Sequence, residues 1–122
     1  MFPQQGGKGG VQAVVVYGGR VLMVEREGVW GLPSGGYEPA ESASAAAARI
    51  AYELTGYLVD GSQALRPEAD GDTAVVCQLL TEDPSDGASL TPEQLRWTPY
   101  AQAIEGGVPE PVGTYLRGHT PV

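Results

Sequence analysis

Residues Glu41 to Thr55 are rich in alanine and contain neither proline nor glycine. Alanine gives up no side-chain entropy in a helix and is the strongest helix former. The run predicts a helix over 41–55, stopped at Gly56, a plausible C-cap. Pro39, Glu38 and Glu41 stand just before or within its first turn, where the helix dipole favours negative charge. Upstream, Val11 to Tyr17 is dominated by β-branched residues and reads as a strand. Gly18-Gly19 reads as a hairpin turn, and Val21 to Val24 as the return strand, ending in Glu25-Arg26-Glu27. Between hairpin and helix, Trp30 to Gly36 is so rich in turn formers that no regular element is expected there.

Downstream the elements shorten. Tyr57 to Val59 reads as a short strand, Gln63 to Arg66 is ambiguous, and Asp70-Gly71-Asp72 reads as a turn. Thr73 to Leu80 reads as a buried strand, and Thr81 to Ser89 as an acidic loop. Leu95 to Trp97 fits a last strand, Tyr100 to Ile104 a short helix stopped by Gly106-Gly107, and 113–117 a further helical turn. The fold class is α+β or α/β: a mixed sheet with helices packed on it. The Gly/Gln-rich residues 1–10 are expected to form a flexible tail, and 11–122 one domain with no repeat or dividing linker.

Seven Lys and Arg against fifteen Asp and Glu give a formal charge of −8. That balance, with no basic cluster, argues against nucleic acid or an anionic membrane as partner. The longest apolar runs are far too short to span a bilayer, and no secretory leader is visible. The single cysteine, Cys77, lies inside the apolar run Ala74 to Leu80 and is expected to be a buried thiol. A cytoplasmic location is the simplest expectation.

Five residues around the helix carry a longer-range signal. Gly35, Glu41, Arg49, Glu53 and Gly56 match, in place and spacing, the box G-x5-E-x7-R-E-U-x-E-E-x-G-U, where U is apolar. Trp30-Gly31-Leu32-Pro33 precedes them as an approach loop. On these residues the segment 30–57 resembles the Nudix family, whose members hydrolyse nucleoside diphosphates linked to another group. The resemblance implies an α/β/α sandwich with its main helix after the Gly-rich loop. It also implies a magnesium or manganese ion, held by a carboxylate face of the helix, that bridges the diphosphate and activates water.

The departures fall on that face. Ile50 and Leu54 stand where the family has glutamates, and Ser34 and Ala40 where glycine is frequent. Positions 50, 53 and 54 share one helix face, so two of three metal-binding acids are replaced by aliphatics. The metal ligands left by the resemblance are Glu53, Glu41, Glu93 and a backbone carbonyl at Gly35. Glu53 and Arg49 are the candidate catalytic residues, with Arg26 and Glu38 as candidate substrate contacts. Each has a plainer reading. Glu53 can pair with Arg49 at i and i+4, Glu41 can serve the helix dipole, Glu93 can be a solvated loop acid, and Arg26 a surface charge. Asp83 and Asp86 read as solubility acids, and His119 has no readable catalytic partner.

Ile50 and Leu54 complete an apolar stripe with Ala43 and Ala47. That stripe either packs in the core or lines an apolar cleft open to a less charged ligand or a second copy of the chain, making a homodimer. Two functions compete. One is a hydrolase of a nucleoside diphosphate derivative with weak or lost activity. The other is a non-catalytic module binding a small nucleotide-like ligand or a protein partner.

Overall fold

The computed structural model describes residues 10–65 and 73–118. Seven strands form one sheet: β1 Val11–Tyr17, β2 Arg20–Arg26, β3 Val29–Gly31, β4 Ser34–Gly35, β5 Val59–Ala64, β6 Thr73–Leu79 and β7 Leu95–Pro99. The helices are α1 Ala43–Thr55, α2 Tyr100–Glu105 and α3 Glu110–Gly118, with a 3-10 turn at Pro92–Gln94. Along the main path the strands run β3-β2-β1-β6-β5, while β4 pairs with β1 and β7 with β2. β1 and β6 are parallel, from Val11 beside Thr73 to Val16 beside Gln78; the other pairings are antiparallel. The sheet is therefore mixed, as expected.

Alternation along the central strands builds two cores. Val11, Ala13 and Val15 of β1, with Val75 and Cys77 of β6, face Ala46, Ala47, Ile50 and Ala51 of α1. Val14 and Val16, with Ala74 and Val76, face Tyr100, Ala103, Val112 and Leu116 of α2 and α3. Buried on both sides, these strands read as continuous apolar runs rather than as an alternation. The result is helix, sheet, helix in three layers. Burial keeps the Cys77 thiol protonated, pushed up to about 12.

Several boundaries move. α1 begins at Ala43, because the Ser42 hydroxyl accepts the Ala45 N–H at 3.1 Å and caps the first turn. Glu38 and Glu41 thus lie outside the first turn, which holds no acid. Trp30 to Gly36 is not irregular throughout: Val29–Gly31 pairs with β2 and Ser34–Gly35 with β1. β2 runs on through Glu25 and Arg26, while β5 starts at Val59 and extends to Ala64. β7 and α3 are longer than the sequence suggested. Residues 1–9, Arg66, Asp70-Gly71-Asp72 and His119, on which expectations also fell, lie outside the described residues.

α1 ends at Gly56, at φ 82°, with its N–H on the Tyr52 carbonyl at 2.8 Å. Glycine is needed twice over here. The left-handed backbone disfavours a side chain, and a Cβ would stand 2.5 Å from the Ser85 oxygen. The loop after β6 presses on this end of the helix. Ser85, Ser89 and Leu90 donate their N–H groups to the carbonyls of Gly56, Glu53 and Leu54 at 2.7, 2.9 and 3.1 Å. Carbonyls that a helix terminus leaves without intrahelical partners are satisfied by this loop.

Candidate functional site

Three of the five box residues, Glu41, Arg49 and Glu53, meet through one cation on α1 and the loop before it. Arg49 donates Nε–H to Glu41 Oε2 and Nη2–H to Glu41 Oε1, each at 2.9 Å, a bidentate pair. Nη2 also donates to the Gly36 carbonyl at 2.7 Å. Nη1 reaches Glu53 at 3.3 Å, the expected i and i+4 pair, and Glu38 at 3.9 Å. Glu41 Oε1 further accepts the Glu38 N–H at 2.9 Å. The guanidinium thus fastens the loop before α1 to the helix.

The electrostatics follow. The hydrogen bond from Arg49, then the Glu38 N–H, hold the Glu41 carboxyl below the usual carboxylate range. Its side chain is 13% exposed, against 57% for Glu53 and 63% for Glu38. Glu41 in return raises the Arg49 pKa further. Glu41 is therefore the anion of a fixed ion pair, where the sequence suggested a partner of the helix dipole.

On the next position of the helix the chemistry reverses. Ile50 is 3% exposed, and its Cδ1 and Cγ1 would lie 3.2 Å from a Cβ placed on Gly35. Close approach of β4 to this side chain explains the glycine. Leu54 and Ala43 are partly buried against the same core, and Ala47 is fully buried. The apolar stripe packs inward, so Ile50 and Leu54 do not form an open apolar cleft.

The other named residues lie apart. Arg26 is exposed and donates Nη1–H to the Ser34 carbonyl at 2.9 Å, so it braces the approach loop. Glu93 is exposed in the 3-10 turn, which is docked by Gln94 Nε2–H on the Glu25 carbonyl at 3.0 Å. Among the described residues, no three of His, Cys, Asp and Glu are grouped to hold a metal ion. Magnesium or manganese asks for several oxygen donors. The Glu41 oxygens are taken by Arg49 and Glu38, and Glu53 is the one exposed carboxylate left on the box helix. This donor set does not fit a divalent-ion site built by the protein.

Two aromatic residues had no functional reading in the sequence. Tyr57 closes the box, and Trp97 reads only as part of a strand. Their rings meet at 5.5 Å and 75°, and the Trp97 indole N–H donates to the Tyr57 hydroxyl at 3.3 Å. They wall a cavity of about 400 Å³ at the C-terminal end of α1. The residues are 40 positions apart, and nothing local joins them.

Comparison with known proteins bears on the fold and the family. The family model described as NUDIX domain matches residues 8–117. A comparison with curated proteins returns no match. Among solved structures, a NUDIX hydrolase from Nitrosomonas europaea superposes with a TM-score of 0.71 at 21% identity, over 98% of this chain and 77% of that one. An ADP-ribose pyrophosphatase from Streptococcus suis 89-1591 gives 0.63 at 16% identity, over 77% and 75%. A MutT protein from Methanosarcina mazei Go1 gives 0.57 at 19% identity, over 91% of each chain. Identities this low establish the shared fold. The family model spans nearly the whole chain, and on that match the chain belongs to the NUDIX domain family.

Proposed function

We propose that this domain takes a nucleoside diphosphate derivative as its ligand and that its metal-dependent hydrolysis is weak or lost. One observation carries the reading. The two box positions that the family fills with glutamates hold Ile50, buried beneath β4, and Leu54, packed on the same core. The remaining box acids surround Arg49, so the charge they would offer a metal is already countered by a guanidinium. The similar solved structure described as an ADP-ribose pyrophosphatase indicates the class of compound to try.

The chain's own residues support binding better than turnover. Arg49 and Glu41 hold the loop 36–41 in place, Gly35 lets β4 approach the helix, and Glu53 and Arg26 remain at the surface for contacts. The same picture favours a non-catalytic binding module as the second reading, because the Arg49 network ties the loop to the helix through groups of the chain itself. In either form the domain works in the cytoplasm on a small molecule, apart from nucleic acid and membranes. No helix among the described residues is long and apolar enough to cross a bilayer. A homodimer would need a surface other than Ile50 and Leu54.

The test is hydrolysis of a panel of nucleoside diphosphate derivatives with magnesium or manganese, read as monophosphate release. Little or no release is expected from the unaltered chain, and a gain in Leu54→Glu or in Ile50→Glu/Leu54→Glu. Circular dichroism checks that the variants fold, and Leu54→Glu serves if burial of Ile50 makes the double variant unstable. Brisk, metal-dependent release that vanishes in Glu53→Gln sinks the reading.

A further inference from the structure

We propose that the cavity at the C-terminal end of α1 is a binding site for a small organic cation, of the quaternary ammonium type. It is walled by Thr55, Tyr57, Ser85, Asp86, Leu95 and Trp97, among others, and none of its lining residues is Lys, Arg or His. About 400 Å³ lies within the range of small-molecule sites. None of Arg49, Glu41 and Glu53 lines it, so it is separate from the box cluster, and the inference stands whether or not that cluster hydrolyses anything.

Two features set the sign of the ligand. The first is aromatic: Tyr57 and Trp97 both line the cavity, with ring centroids 5.5 Å apart. Aromatic ring faces attract cations through their quadrupoles. The second is Asp86, a lining carboxylate with no ion-pair partner among the described residues, since every ion pair there belongs to Arg49. A diphosphate would meet the opposite of what it needs here. The wall itself is built firmly, because three backbone hydrogen bonds tie the loop Ser85–Leu90 to the helix end.

The probe is choline, compared with 3,3-dimethylbutan-1-ol, its uncharged isostere, and with adenosine diphosphate. Emission of Trp97 is followed in a Trp30→Phe background, which leaves it as the one tryptophan. Choline is expected to change the emission saturably and to bind about tenfold more tightly than the alcohol. Asp86→Asn, in an exposed loop, is expected to weaken choline several-fold and leave the alcohol unchanged. Equal binding of choline and alcohol, or no saturable change with choline, overturns the proposal. So does adenosine diphosphate displacing choline with an affinity that rises in Asp86→Asn.

Discussion

Arg49 and Ile50 are neighbours on α1, and both hold the segment between β4 and the helix, by opposite means. Arg49 grips Glu41 and the Gly36 carbonyl with charge-assisted hydrogen bonds while remaining 23% exposed. Ile50 lies almost fully buried under Gly35, in the core between α1 and the sheet. Water screens and competes for the first contact and is absent from the second. Packing should therefore contribute more to stability, and the ion pair more to the geometry of the loop.

That contrast can be broken by measurement. Ile50→Ala removes buried methyls and leaves a cavity, so denaturant unfolding should show a loss of about 2–5 kcal/mol. Arg49→Met keeps most of the aliphatic stem but strands Glu41 and the Gly36 carbonyl. A loss of about 1–3 kcal/mol is expected in the same experiment. A cost for Arg49→Met above that for Ile50→Ala would reverse the ranking.

Glu41→Gln sharpens the polar side further. Arg49 keeps Gly36, Glu38 and Glu53 as partners in this variant, so the loss should be smaller than for Arg49→Met. It should also depend on pH. The folded Glu41 pKa lies below the ordinary glutamate value of about 4.3. Its contribution is then complete above that value and is lost as pH falls through the lower folded pKa. Melting temperatures of the two proteins should differ at neutral pH and converge in acid; a gap that persists at about pH 2 would remove Glu41 from the account.

The smallest effect has the opposite sign. Ala40 sits in the gripped loop at φ 63°, a left-handed conformation that costs a side chain about 1–2 kcal/mol and costs glycine almost nothing. Glycine also adds entropy to the unfolded chain, so Ala40→Gly should raise stability by at most about 1 kcal/mol. A drop in melting temperature would mean that the loop depends on the alanine methyl.

The helix was legible because its cause is local. Alanine propensity and the glycine stop lie within the segment, and only the first two residues were misplaced, since Ser42 lacks the carboxylate or amide three positions on that completes a capping box. β3 and β4 were not legible. They are three and two residues long, and pairing with β2 and β1 alone makes them strands. The box register was legible from spacing, but the partner of Arg49 was not. The sequence offers Glu53 at i+4, whereas the tighter pair is with Glu41, eight residues back in the loop before the helix.

Spacing and composition in one dimension were enough to determine the kinship and a mixed sheet with helices packed on it; the three-layer sandwich was implied by the kinship. Periodicity and propensity act along the chain and need no distant partner. Whether Ile50 and Leu54 faced an open cleft or the core was decided only in three dimensions, by the approach of β4 to Ile50. The same holds for the Tyr57 and Trp97 pair, because burial and ring contacts depend on which distant segments the sheet brings side by side.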